Sequence, residues 1–381
     1  MNGRHSIRKV PPTGGVTQGA RLLAVQIILF VAVFCLAGQP ALAKHNGHKK
    51  GPKNCTKMSN YAFIARQSEI RDDYFIAVGK CYNLPPEEDI KDCIRDAKAE
   101  EKDAKEEARD QRDARLDLCD QVGQGPYNPD IESMTFFDPG DINAKNANPY
   151  FPLVPGYKWT YKSRDENGED PQEVLETNTV EVLDTKAPAV ESVEIEGIPC
   201  AVVHDIVYKG DSTKDEDITE DTYDYYAQQD DGTVWYMGEF SLAKEECDDE
   251  LCQGLWGDEG SWQAGFDGGK PGILMYPDTD LSDSSFPGTV YRQELYLGDA
   301  EDAAEVINFD KESVTVPYGD FPIGSQLLKT KDFSPLEPGV GDYKYYAPGI
   351  GVILEEAYED DITTGERNEL VSTGDNGPTF P

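Results

Sequence analysis

The stretch Tyr150-Phe-Pro-Leu-Val-Pro-Gly-Tyr-Lys-Trp-Thr-Tyr-Lys162 decides how the rest of the chain is read. Its first half is apolar and punctuated by Pro152, Pro155 and Gly156. Its second half alternates Tyr157, Trp159 and Tyr161 with Lys158, Thr160 and Lys162. Successive side chains of a strand point to opposite sides, so this alternation predicts a strand with an aromatic face and a polar face. Similar stretches follow. Val174 to Leu183 alternates loosely, Ile198 to Tyr208 is a long β-prone run, and Thr222 to Gln228 leads through Asp230-Asp231-Gly232 into Val234-Trp235-Tyr236. An Asp-Gly step between aromatic strands is a hairpin signal. Further strands are expected at 290–297, 314–317, 326–333, 343–346, 352–358 and 367–372. No helical period of useful length interrupts them. The expectation for 151–381 is therefore a mainly β domain, an antiparallel meander curled into a half barrel or sandwich rather than a βαβ fold.

Upstream lies a different kind of sequence. Cys55 and Cys81 are 26 residues apart, and so are Cys93 and Cys119. Between them two segments read as helices, one over about 57–78 and one over about 87–118, the second rich in Ala, Glu, Lys, Arg and Asp. Asn83-Leu-Pro-Pro86 breaks the chain between them, and Glu87, Glu88 and Asp89 follow where a helix dipole favours acids. Cysteines 26 residues apart on one helix are separated by about 39 Å at 1.5 Å per residue, whereas a disulfide needs its Cα atoms within about 7 Å. An antiparallel hairpin with nested bridges, Cys81 to Cys93 near the turn and Cys55 to Cys119 at the open end, is the pattern that fits. The apolar face of the second helix is mainly alanine, which buries little area, so the staples at 55–120 compensate for a thin core. Zinc sites use close cysteine pairs, which these four are not. Cys247 and Cys252 are expected to close a small local disulfide loop, leaving Cys200 as a buried free thiol.

The first 43 residues contain Arg4, Arg8, Lys9 and Arg21, no acid, an apolar run from Leu22 to Gly38 and the small-x-small site Ala41-Leu-Ala43. This reads as a signal peptide cleaved after Ala43, with an uncleaved anchor as the rival. The mature protein is then exported, whether periplasmic, extracellular or associated with the cell envelope, and has no membrane span after signal cleavage. A short basic tail, 44–54, leads to the hairpin. Loss of the leader takes the formal charge of -38 four units lower, to -42. Such a field repels phosphate backbones, which excludes nucleic-acid binding. Residues 121–150, rich in Gly, Pro, Asn and Asp, form a linker or an arm lying across one domain, with Phe136 and Phe137 as anchors.

Three motifs in order, Tyr150-Phe-Pro-Leu-Val-Pro-Gly with Trp159 and Tyr161, Val234-Trp-Tyr-Met-Gly-Glu239, and Tyr345-Tyr-Ala-Pro-Gly-Ile-Gly-Val352, span about 150–372. In this the chain resembles a widespread, mostly uncharacterised group of bacterial exported and lipoprotein-like β domains. The resemblance implies an architecture similar to the curled sheets of LolA-like envelope proteins, which enclose apolar ligands. It carries no catalytic residue across, and the lipid-attachment cysteine of lipoprotein members is missing here.

Chemistry-bearing motifs are scarce. His204 is the lone histidine of the strand-rich region and sits at an alternating strand position, the place of a hydrogen-bonded structural residue. No Gly-x-Ser-x-Gly elbow, His-Glu-x-x-His, phosphate loop or dinucleotide fingerprint occurs, and no cofactor is implied. With 73 acidic residues, carboxylate pairs arise everywhere by chance. The oxygen-rich segments Asp165 to Asp170 and Asp278 to Asp283 read as solvated hairpin tips that leave room for weak calcium binding. The expectation is a non-enzymatic exported protein binding an apolar ligand or a protein partner on a curved, aromatic-rich sheet. The alternative is an envelope or extracellular scaffold, calcium-modulated or not, and a carboxylate-based hydrolase ranks third.

Overall fold

The computed structural model describes residues 53–85, 89–184, 193–244, 255–258 and 260–374. The segment 1–43, most of the basic tail and the Cys247 and Cys252 pair lie outside the described residues. The described residues divide into two compact units, one within 71–101 and the other made of 53–70 and the described residues from 102 onward.

Helices α1 (Asn54–Cys81) and α2 (Ile90–Val122) precede every strand. Both ends of α1 reach beyond 57–78, because Cys55 and Cys81 are themselves helical. α2 is built from strong helix formers. Asp89 starts it by accepting from Lys91 N at 2.8 Å, which satisfies a donor that the first turn leaves free. Gly123 ends it at φ 100°, a left-handed residue that glycine adopts without a Cβ clash. In the first unit Cys81 is bonded to Cys93 with Cα atoms 5.7 Å apart. In the second, Cys55 is bonded to Cys119 at the same Cα separation of 5.7 Å. There α2 is anchored to the β region by Arg115, which donates Nε and Nη2 to the buried Glu301 at 2.7–3.0 Å, and by Gln111, whose Nε2 reaches Leu336 O at 2.8 Å. No helix among the described residues is long and apolar enough to cross a membrane.

The strands are β1 (Lys158–Asp165), β2 (Glu176–Val182), β3 (Val193–Ile195), β4 (Ile198–Lys209), β5 (Ile218–Gln228) and β6 (Val234–Lys244). After them come β7 (Trp256–Gly257), β8 (Trp262–Gln263), β9 (Lys270–Met275), the short helix α3 (Asp278–Leu281), β10 (Val290–Arg292), β11 (Glu294–Leu295) and β12 (Ala303–Phe309). The remainder are β13 (Val314–Val316), β14 (Gly319–Phe321), β15 (Leu328–Phe333), β16 (Val340–Ala347), β17 (Gly351–Glu359) and β18 (Ile362–Thr373). The main sheet follows the order β10-β12-β15-β16-β17-β18-β1-β2-β4-β5-β6-β9-β11, with antiparallel pairing along it. Its two ends, β10 and β11, are separated in sequence by Gln293 alone. The sheet therefore comes round to the segment from which it started.

This makes a nearly closed barrel, one step beyond the half barrel that the alternation suggests, and closure removes the exposed edges of an open sheet. Glycine is required at the seam, since a Cβ on Gly272 would lie 2.2 Å from the Gln293 carbonyl carbon. Register shifts between β1 and β18, β5 and β6, β12 and β15, β16 and β17, and β17 and β18 supply curvature. The aromatic side of β1 faces the core, where Tyr157, Trp159 and Tyr161 donate to the carbonyls of Gly349, Ile350 and Val352 at 3.3, 2.6 and 3.1 Å. Residues 127–150 run as an arm on the same unit, tied by Tyr127 OH to Pro271 O, by a bridge from Phe136 to Gln229, and by Asn148, whose side chain bonds Gly232 and Tyr276.

Candidate functional site

Side chains directly opposite on paired strands lie on the same side of a sheet. Tyr161 is opposite Asn178, Asn178 opposite Val207, Asp205 opposite Thr222 and Val203 opposite Asp224. Ser163 continues this face to Asn368, Asn368 to Glu355, Glu355 to Lys344 and Lys344 to Thr330. The face is the inner one. Four strands separate β16 from β4 along the path, yet Lys344 and Glu355 act electrostatically on Asp205, and Lys344 acts on Asp224. Groups so far apart around the sheet meet across the barrel, not along it.

The inner face has two zones. Trp159, Val182, Val203, Ile353, Leu370 and Leu328 make one of them, part of the main hydrophobic core. Further along the same strands come Tyr161, Asn178, Asp205, Asp224, Asn368, Glu355, Lys344 and Thr330. Lys344 Nζ stands 3.3 Å from Glu355 Oε1 and 3.5 Å from Asp332 Oδ2. Thr330 Oγ1 and Gln293 Nε2 hold Asp332 at 2.6 and 3.2 Å. A Cβ on Gly341 would fall 2.2 Å from Asp332 O, so only glycine lets β16 come this close to β15. The Lys344 side chain keeps 28% of its surface exposed although strands surround it, so it is half-buried rather than sealed in.

Charge in this zone is unbalanced. Asp205, Glu220, Asp224, Asp332, Asp342 and Glu355 form with Lys344 a network of six carboxyls and one ammonium. Burial pushes the Asp205 carboxyl up to about 7 and Glu220 adds to it, against a weak lowering by Asn178, whose Nδ2 is 3.5 Å away. Burial likewise brings Asp224 to about 7 despite a 2.6 Å bond from Tyr236 OH, and burial with Glu355 brings Asp342 to about 7. For Lys344 burial acts to lower the pKa, but Glu355 and Asp332 outweigh it and hold the ammonium charged. Asn178 Oδ1 and Asp205 Oδ1 are buried without a hydrogen-bond partner.

The outer face of the same strands is paired charge for charge. Arg367 meets Glu166, Glu356 and Glu369 at 3.2–3.5 Å, Arg164 meets Glu369 at 3.4 Å, and Lys329 meets Glu312 at 3.2 Å. A cleft of about 440 Å³ opens beside Arg164 and Arg367. Its guanidinium groups already have carboxylates, so it is a weaker candidate than the interior. His204 also points outward, stacked on Tyr223 with ring centroids 4.2 Å apart and 2.7 Å from Asp221 Oδ1, a structural setting.

Cys200 is a free, buried thiol, pushed up to about 12 by burial, which makes it inert. Asp165 caps its own turn by accepting from Asn167 N, and Asp278 opens the short helix α3. Among the described residues no group of three or more His, Cys, Asp or Glu is placed to hold a metal ion. The interior charges escaped the reading of the sequence, although a signal exists. Asp205 has the parity of Ala201 and Val203, and Lys344 that of Tyr346, so each is a charge on a side that is otherwise core.

No protein family and no curated protein matches the chain. Among solved structures it is similar to a Bacteroides fragilis protein named for export and for a YmcC-like fold, at 16% identity and TM-score 0.34, over 60% of this chain and 100% of that one. It is also similar to a Parabacteroides distasonis protein named as a lipoprotein, at 13% identity and TM-score 0.32, over 60% of this chain and 99% of that one. Scores this low carry no argument about this chain.

Proposed function

We propose that this is a non-enzymatic exported binding protein whose barrel takes an amphiphile bearing a protonated amine. The apolar part lies against the Trp159 and Leu370 zone, and the amine lies among Asp205, Asp224 and Glu355. The observation that supports the reading is the excess of carboxyls over ammonium on an inner face that continues directly into core. Uncompensated carboxyls raise one another's pKa, and a bound cation relieves that cost. The leader at 1–43 supports export, and the resemblance to LolA-like curled sheets is in keeping with an enclosed apolar ligand.

Native mass spectrometry of the mature protein from its own host, with organic extraction, gives the first test. An amine-bearing adduct is expected. Calorimetry with dodecylamine, dodecanol and dodecanoate then separates the chemistry: only the amine should bind, with proton release below pH 7, and D205N/D224N should weaken it at least tenfold. A clean apo mass together with no preference for the amine would sink the reading and favour the scaffold alternative.

A further inference from the structure

Where the barrel closes, Arg292 at the end of β10 is only 3% exposed, and its Nε and Nη1 have no hydrogen-bond partner. Its Nη2 lies 3.8 Å from Cys55 Sγ, and its guanidinium stands over the Tyr127 ring at 5.8 Å. Glu301 is the carboxylate that acts on it, but that group is already committed to Arg115 through both oxygens and to Gly298 N. Two guanidinium groups thus share one buried carboxylate. A buried cation without a counter-ion is costly. Burial lowers the Arg292 pKa, Glu301 and Tyr127 oppose this, and Arg115 adds to it. The partner that would complete the site is an anion at the position of the Cys55 sulfur. No guanidinium contacts Cys81 or Cys93 among the described residues.

We propose that Cys55–Cys119 is a dithiol-exchangeable disulfide, with Arg292 as the counter-ion of the Cys55 thiolate in the reduced form. Cys55 and Cys119 are both buried and Cys93 is half-buried, so what sets Cys55–Cys119 apart is the guanidinium beside it and not access. In the exchange, a dithiol reductant gives up two electrons and becomes a disulfide, and the Cys55–Cys119 bond breaks. Cys55 leaves as a thiolate beside Arg292. Cys119 takes one of the two protons as a thiol next to Ser59 Oγ, which is 3.5 Å from its sulfur, and the other proton goes to solvent. Stabilising the reduced form makes a disulfide more oxidising. The two sulfurs stay close after reduction, because Asn54 N and Thr56 Oγ1 remain bonded to Gln124 at 3.0 and 2.8 Å and α2 remains anchored by Arg115 and Gln111. The bridge is therefore a reversible fastening for the start of α1.

The test uses the full mature chain, equilibrated in dithiothreitol buffers of graded ratio, quenched by alkylation, with each bridge read separately by peptide mass spectrometry. Cys55–Cys119 should reduce at a less negative potential than Cys81–Cys93. Arg292→Met removes a charge that has no carboxylate of its own, and Arg115 keeps Glu301 paired, so the fold should survive it. It should shift the Cys55–Cys119 equilibrium at least tenfold toward the oxidised form, about 30 mV for this two-electron couple, and Arg292→Lys should restore most of the shift. In the reduced wild type, the pH dependence of Cys55 alkylation should report a thiol below the usual value of about 8.5, with Arg292, Arg115, Glu301 and Tyr127 as the charged and titratable groups around it. Bridges that titrate together, or a Cys55 thiol at or above the ordinary value, would overturn the proposal.

Discussion

The two faces of strands β15 to β18 use the same residue types to opposite effect. Outside, Lys329 sits over the rings of Tyr343 and Tyr345 at 4.6 and 4.8 Å and meets Glu312. Burial alone would raise Glu312, yet bonds from Asn308 and Lys329 outweigh it and hold this carboxyl below its usual range. Inside, burial dominates, and Asp342 on the neighbouring strand is pushed up to about 7. A charge that already has its partner is part of the scaffold. A carboxyl without a cation of its own is available to something else, and on its inner side the barrel has gathered six carboxyls around the single Lys344.

Removing Lys344 should break the contrast most strongly. Lys344→Met leaves Glu355 and Asp332 facing each other, and the expected loss is about 2–4 kcal/mol at pH 7, somewhat under the range for a fully buried pair because Lys344 is half-buried. Chemical denaturation at pH 7 and pH 5 checks this, with a smaller loss at the lower pH, where Asp205, Asp224 and Asp342 hold protons. An equal loss at both values would mean that Lys344 acts through packing.

The raised carboxyls give the next largest effect. Their folded pKa values of about 7 lie above the unfolded value of about 3.9. Between those limits the folded state holds protons that the unfolded state has lost, so the contribution of these three groups to stability is greatest near pH 4, falls as pH rises through 7 and then levels. Asp224→Asn should flatten that slope and stabilise the protein at pH 8 by about 1 kcal/mol or more. A difference between Asp224→Asn and the wild type that stays constant from pH 4 to pH 8 would contradict the electrostatics of the interior. The smallest effect belongs to the outer face. Lys331→Ala removes a contact to the exposed Asp361 and should change stability by less than about 1 kcal/mol, with the difference vanishing in high salt.

Strands carrying aromatic alternation could be read locally. β1 is the clearest of these, with Trp159 and Tyr161 facing the core at alternate positions directly after Tyr157. β9 and β12 could not. β9 contains Pro271 and Gly272, and β12 begins with Ala303-Ala304, poor strand formers by composition. Both flank the closure. Gly272 is there because the seam passes too near for a Cβ, and the fully buried Ala304 is small opposite Tyr291. The candidate site was hidden for a related reason, since Asp205 and Lys344 lie far apart in sequence and nothing local marks either one as facing the other.

By itself the sequence determined the class of each segment, helical where alanine and long charged side chains recur and extended where aromatics alternate, because those preferences act between near neighbours. It also determined the acidity of the chain and which residues carry thiols. Only the tertiary structure decided that the sheet closes, that an inner face exists, and that six carboxyls from five strands share one lysine within it. Those are consequences of non-local pairing. The pKa of a carboxyl is set by what stands across the barrel from it, and neighbours along the chain hold no record of that distance.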